Sequence, residues 1–93
     1  MDTGEVITKI NAFADYNTAL VMRGEQAPTS WDTRPEAKQF HALKKAAGAA
    51  IDIMDEWTEV ENRGNGIVVL QDDTGTKILY TPEHGAERVT IIE

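Results

Sequence analysis

In this 93-residue chain, the carboxylates are the side chains whose number and spacing could support a chemical function. Five acids lie between positions 52 and 61, namely Asp52, Asp55, Glu56, Glu59 and Glu61. Groups this dense can ligate a metal ion or attract a positively charged surface. No Lys or Arg lies among them, so the local sequence supplies no neutralising partner.

Catalytic and metal-binding interpretations of the acids are weak. Asp73-Thr74-Gly75 follows an apolar strand, as the catalytic tripeptide does in dimeric aspartic proteases. That fold is almost wholly β, whereas this chain begins with helical patterns, so we expect a hairpin turn there. No histidine lies within the acidic run to complete a transition-metal site, and the EF-hand pattern is absent. We therefore predict no catalytic residue, no cofactor and no metal, and hence no enzyme.

The charge of the chain is unevenly distributed. The formal net charge is −7, yet residues 1–45 carry six acids and six bases, whereas residues 46–93 carry ten acids and three bases. Basic residues are too few and too scattered for direct binding of nucleic acid. The absence of cysteine excludes disulfides, thiolate nucleophiles and Cys-ligated zinc. No apolar run could span a membrane, and the acidic N-terminus lacks a signal core, so we expect a cytoplasmic protein.

Two helices are predicted to position the acids. Apolar residues recur at three- and four-residue steps over about 3–23, which is typical of one helical stripe, and Asp2 or Thr3 can cap it. A second capping box, with a proline in the first turn, opens a helix over about 34–61. On that helix Asp52, Asp55, Glu56 and Glu59 would fall within about 100° of arc and face solvent.

A small sheet is predicted to follow the helices. β-Branched and apolar residues at 67–70, 77–80 and 89–92 indicate three strands, separated by turns at 72–75 and 82–85. The prediction is a single α+β domain over residues 1–93, in the order ααβββ with a three-stranded antiparallel sheet.

The predicted strands are apolar on both faces, although two helices can cover only one. The uncovered apolar face would be prone to association with other proteins, and formation of a homodimer is the simplest way to bury it. Alternatively, the loop that carries Trp31 folds over this patch. Trp31 is interpreted either as a cover for the core or as an anchor for a partner.

The acidic stripe carries the functional hypothesis. Like charges four residues apart, near the negative end of a helix, oppose folding, so their presence indicates a use. Rows of carboxylates can imitate the phosphates of nucleic acid and occupy a basic groove. The alternative is a plain solvated helix face, partly neutralised by Arg63, Lys77 or Arg88. The predicted partner-binding residues are Asp52, Asp55, Glu56 and Glu59, with Glu61, Asp72 and Asp73 as extensions.

No family motif can be matched residue by residue. In class, the length, the charge, the lack of cysteine and the acidic stripe resemble those of the small acidic inhibitors made by bacteriophages and mobile elements, which include anti-CRISPR and other anti-defence proteins. The resemblance implies a non-enzymatic, possible DNA-mimic protein that docks on the basic surface of a nucleic-acid-handling complex. Two alternatives stay open. One is an assembly subunit that oligomerises through its sheet, and the other is a small ligand-binding domain with a pocket between helices and sheet.

Overall fold

The computed structural model describes residues 2–83 and 86–92. Two helices precede four strands in the chain. Their bounds are α1 Thr3–Met22, α2 Pro35–Met54, β1 Thr58–Gly64, β2 Ile67–Gln71, β3 Lys77–Glu83 and β4 Ala86–Ile91. The strands form one antiparallel sheet in the order β1-β2-β3-β4. The α+β class is therefore confirmed, whereas the predicted three-stranded sheet is wrong, because the order is ααββββ.

The additional strand, β1, replaces the end of the predicted second helix. That helix was predicted over 34–61, but α2 ends at Met54 and β1 starts four residues later. In β1, the β-branched Thr58 and Val60 alternate with glutamates, a pattern that suits a strand better than a helix.

A tight turn joins β1 to β2 and fixes their pairing. Gly64 pairs with Ile67, so only Asn65 and Gly66 lie between the strands. Their φ angles are 55° and 80°, and a type I′ hairpin turn needs positive φ at both central residues. Asn-Gly is the dipeptide that best tolerates this geometry, so the segment reverses the chain rather than merely ending a helix.

The core lies between the two helices and one face of the sheet. Its fully or almost fully buried members are Val6, Ile10, Ala50, Met54, Ile78 and Val89. Paired residues of antiparallel strands project to the same face of the sheet, so the register shows which residues face the helices. We call this side the inner face, and it carries Val68, Leu70, Ile78, Tyr80 and Val89. A second cluster, around the edge-to-face rings of Phe13 and Phe40, joins the helices farther along.

The two edges of the sheet differ in how they are protected. Helix α1 covers the β4 edge, where the Asn11 side chain bonds both backbone groups of Val89, accepting from its N–H (2.9 Å) and donating to its carbonyl (2.8 Å). Strand β1 forms the opposite edge, and all seven of its residues are exposed. Two register shifts and the charges of Glu59 and Glu61 interrupt this edge, which are common devices against edge-to-edge pairing.

Trp31 does not cover the core. Trp31 lies in the loop between the helices and is 80% exposed, so the prediction of a core-covering tryptophan is wrong.

The outer face of the sheet carries Ile67, Val69 and Leu79, of which only Val69 is buried. The expectation of apolar residues on both faces of the sheet is therefore confirmed.

Candidate functional site at the acidic end of the molecule

Three of the predicted acids stay together at the carboxyl end of α2. The helical hydrogen-bond pattern continues past Met54, since the Asp55 N–H donates to the Ile51 carbonyl (3.2 Å) and the Trp57 N–H to the Met54 carbonyl (2.9 Å). Asp52 therefore neighbours residues three and four positions later, on the same side of the helix. All three acids, Asp52, Asp55 and Glu56, are exposed.

The other two acids of the run lie on β1, so the predicted continuous helical stripe is wrong. Glu59 pairs opposite Leu70, on the inner face, whereas Glu61 pairs opposite Val69, on the outer face. A β-bulge between Glu59 and Glu61 places the two glutamates on opposite faces of the sheet. Glu61 also forms an exposed ion pair with Arg63, at 3.2 Å between Oε2 and Nε.

The fold brings in Asp73 from a distant part of the sequence. Glu56, at the end of α2, and Asp73, in the turn between β2 and β3, line one cavity of about 300 Å³ together with Thr58. We use the term acidic end for the exposed carboxylates that lie around the end of α2. They are Asp52, Asp55, Glu56, Glu59 and Asp73.

Asp72 stabilises the fold and does not belong to the acidic end. Its residue is only 7% exposed, and its Oδ1 accepts hydrogen bonds from the Thr74 N–H (2.9 Å), the Thr74 hydroxyl (2.7 Å) and the Thr76 N–H (2.9 Å). The Thr3 hydroxyl donates to its Oδ2. Asp72 thus closes the β2–β3 turn and ties it to the first turn of α1. The hydrogen bonds from Thr3 and Thr74 lower the pKa of Asp72 to about 2.

Replacing Asp72 with asparagine should destabilise the fold in a pH-dependent way. The pKa in the folded state lies below the ordinary value near 4, so the carboxylate stabilises the fold above that pH and loses this effect as the pH falls towards 2. We expect Asp72→Asn to lower the Tm by roughly 4–8 °C at pH 7. The difference from the parent should shrink between pH 4 and pH 2 in circular-dichroism melts.

Asp73→Asn is the matched control for this experiment. Asp73 is the neighbouring aspartate, it is exposed, and no side-chain hydrogen bond to it is found within residues 2–83 and 86–92. Its substitution should therefore change the Tm little. Equal losses for the two variants would contradict the structural assignment of Asp72.

The acidic end is not neutralised by the arginines of the chain. Each of the four arginines forms its ion pairs elsewhere, with Glu25, Asp32, Glu61, Asp15 and Glu83 as the acidic partners. Within the part of the chain that the structure describes, none of the five carboxylates of the acidic end forms an ion pair. The last turn of α2 contains no basic residue, so the negative end of the helix dipole adds to their field.

A cleft adjoins the acidic end. We name it the Trp57 cleft, and its volume is about 310 Å³. It lies between the last turns of α2 and the inner face of β2 and β3, and its lining residues are Ile51, Met54, Asp55, Trp57, Val68, Leu70 and Tyr80. Burial, with the charge and hydrogen bond of Glu87 and the charge of Asp55, raises the pKa of Tyr80 to about 12. The phenol therefore stays neutral and sits in a negative potential.

The sequence left open a pocket between helices and sheet but did not identify the residues of this cleft, because they depend on where α2 ends and on the register of the strands. The sequence pattern places Trp57 on a helix and Tyr80 on a strand and predicts no contact between them, whereas the end of α2 at Met54 brings Trp57 to the cleft beside β2. The alternation of Val68 and Leu70 on one face was the available signal.

Three other observations bear on the chemistry of the protein. Among residues 2–83 and 86–92, no three His, Asp or Glu side chains converge as a metal site would require. Neither helix in that part of the chain combines the length and apolarity that crossing a membrane would need. Comparisons with protein-family models, with curated proteins and with solved structures give no match for this chain.

Proposed function

We propose that the protein is a non-enzymatic binding protein whose acidic end docks on a basic, nucleic-acid-binding surface of a partner protein in the cytoplasm. The observation that carries this proposal is a group of exposed carboxylates without ion pairs in the described chain, placed at the negative end of α2. A basic groove would gain from contact with this group by releasing counterions, much as it does on binding nucleic acid. Inhibition of a defence complex is the use that the class resemblance suggests.

The surrounding fold supports docking rather than simple solubility. Asp52 and Glu56 belong to one rigid helical segment, and Asp73 is held by the turn that Asp72 closes. The backbone positions that carry these carboxylates are therefore fixed relative to one another, which lowers the entropic cost of binding. A charge spread evenly over the surface would keep the protein soluble equally well without this concentration.

Competition with nucleic acid tests the proposal. The protein, immobilised through its N-terminus, is exposed to a nuclease-treated bacterial lysate at low salt, and retained proteins are eluted with duplex DNA, with structured RNA or with salt. We expect a nucleic-acid-binding protein that either oligonucleotide displaces, with an affinity that falls linearly with salt on logarithmic axes. Retention that nucleic acid does not displace, or no retention of such a protein, would refute the proposed function.

The half-exposed residues of the outer face favour a second candidate, an assembly subunit that associates through its sheet. Ile67 and Leu79 lie there and are both partly exposed. Sedimentation at 50 mM and 500 mM NaCl separates the two candidates. A large assembly at both salt concentrations favours the subunit, because apolar contacts persist in salt, whereas a small species favours docking.

A further inference from the structure

We propose that the Trp57 cleft binds the side chain of an arginine that the basic partner presents. Three features of the cleft carry this inference: an apolar floor, two aromatic walls and a carboxylate rim. The arginine site rests on the proposed docking function, because a basic surface is what would deliver such a side chain. It adds a specific contact to what is otherwise attraction between two charged surfaces.

The size and floor of the cleft suit one long side chain. Its volume of about 310 Å³ stands at the lower end of small-molecule sites, which span roughly 300–1,000 Å³. Met54, Val68 and Leu70 supply apolar surface at its base. Arginine carries an aliphatic stem that gains from such a surface while its charged group reaches the rim.

The walls and rim favour a cation, and a planar one in particular. Trp57 and Tyr80 both line the cleft, and a guanidinium stacks on aromatic rings better than a compact ammonium does. Asp55 lines the cleft and forms no ion pair in the described chain, so it can accept two parallel hydrogen bonds from a guanidinium. Glu87 lies near the Tyr80 hydroxyl and adds a second negative charge.

A cavity at the opposite end of the molecule is larger than the Trp57 cleft but has a different set of charged residues in its lining. Its volume is about 530 Å³, and its charged lining is mixed, because Arg34 lines it together with Glu25 and Glu36 and opposes the entry of a cation. None of the residues that line the Trp57 cleft carries a positive charge. The Trp57 cleft therefore differs from the larger cavity in having a carboxylate and no cation among its lining residues.

Titration of the full chain with N-acetyl-arginine amide tests the site. Protein labelled with ¹⁵N and ¹³C gives two indole N–H signals, which Trp31→Phe assigns to Trp31 or Trp57. At constant ionic strength we expect saturable shifts of the Trp57 indole and of the Val68 and Leu70 methyls, with little change at Trp31. The matching citrulline amide, which keeps the shape but lacks the charge, should bind at least about tenfold more weakly.

Two isosteric variants supply the protein-side control. Asp55→Asn should weaken the arginine amide about tenfold, whereas Glu36→Gln should leave its affinity unchanged, because Glu36 is exposed on the same helix but lies at its other end and does not line the cleft. A dispersed amide spectrum identifies a folded variant. Equal losses in both variants, equal binding of the citrulline amide, or equal binding of N-acetyl-lysine amide would overturn the arginine site.

The outcomes also separate this site from the proposed function. Nucleic-acid-displaceable retention of a partner without any response to the arginine amide overturns the site and leaves docking supported. Specific binding of the arginine amide without such retention supports the site and counts against docking on a nucleic-acid-binding surface.

Discussion

Replacing Ile78 with alanine is expected to lower the free energy of unfolding by about 2–5 kcal/mol. Ile78 lies on β3 and is fully buried against both helices, in the cluster that contains Val6, Ile10 and Met54. The substitution removes apolar contacts and leaves a cavity that close-packed neighbours refill only in part. Small domains have a total stability of roughly 5–15 kcal/mol, so the loss would be a large share of it. Urea denaturation, followed by circular dichroism, measures the change.

Ile91→Ala is the matched control, because Ile91 pairs directly opposite Ile78 on β4 and is 55% exposed. The same chemical change at this position should cost less than about 1 kcal/mol. Similar losses in the two variants would mean that the sheet does not bury its inner face against the helices in the way described.

The second large effect is expected from reversing two charges at the acidic end. Asp52→Lys combined with Glu56→Lys should weaken binding to the nucleic-acid-displaceable partner by at least about 100-fold at low salt. Close charge pairs at protein interfaces contribute roughly 1.5–7 kcal/mol, and about 1.4 kcal/mol corresponds to tenfold in affinity. The dependence of affinity on salt should also become shallower, because fewer counterions are released. Isothermal calorimetry over a series of salt concentrations measures both quantities.

A double variant at the other end of the molecule separates local charge from net charge. Glu25→Lys with Glu36→Lys also changes the net charge from −7 to −3, since each reversal adds two units. Glu36 and Asp52 are 16 residues apart on α2, or about 24 Å, well beyond a screening length of about 8 Å at physiological salt. We expect this variant to keep most of the affinity. A loss as large as that of the first double variant would show that only total charge matters.

Most elements of the fold were predictable, because their patterns are local. The spacing of Val6, Ile10 and Phe13 predicts a helical stripe, and these residues are buried on α1. Asp2 caps that helix by accepting a hydrogen bond from the Glu5 N–H (2.8 Å), as its position suggested. The apolar runs beginning at Ile67 and Lys77 form β2 and β3, joined by the predicted turn.

The missed strand shows where local patterns compete. The segment after Met54 contains acids that suit the surface of a helix, so the sequence pattern predicts that the helix continues through it. The outcome was decided by the Asn65-Gly66 turn, whose positive φ angles return the chain and give β1 a partner in β2. A tertiary contact thus outweighed helix propensity, and the acids of β1 moved from a predicted helix face to a sheet edge.

The candidate site was predictable in its residue types but only partly in its geometry. The exposed positions of Asp52, Asp55 and Glu56 follow from their polarity and from their place at the end of a helix whose apolar side is buried at Met54. Asp72 and Asp73 looked equivalent in the sequence, yet only Asp72 turns inward, because hydroxyl and amide groups converge on it. Such convergence depends on residues from α1 and the β2–β3 turn, which the sequence keeps far apart.

The unpaired edge of β1 links the charge of this protein to its behaviour at high concentration. Two copies that approached edge to edge would place the glutamates of one β1 against those of the other, and their mutual repulsion opposes fibril growth. Replacing Glu59 and Glu61 with glutamine would remove that repulsion while the backbone groups of the edge stay available. The carboxylates of β1 therefore act as a guard against polymerisation, which a variant that neutralises them would lose whether or not it still recognises a partner.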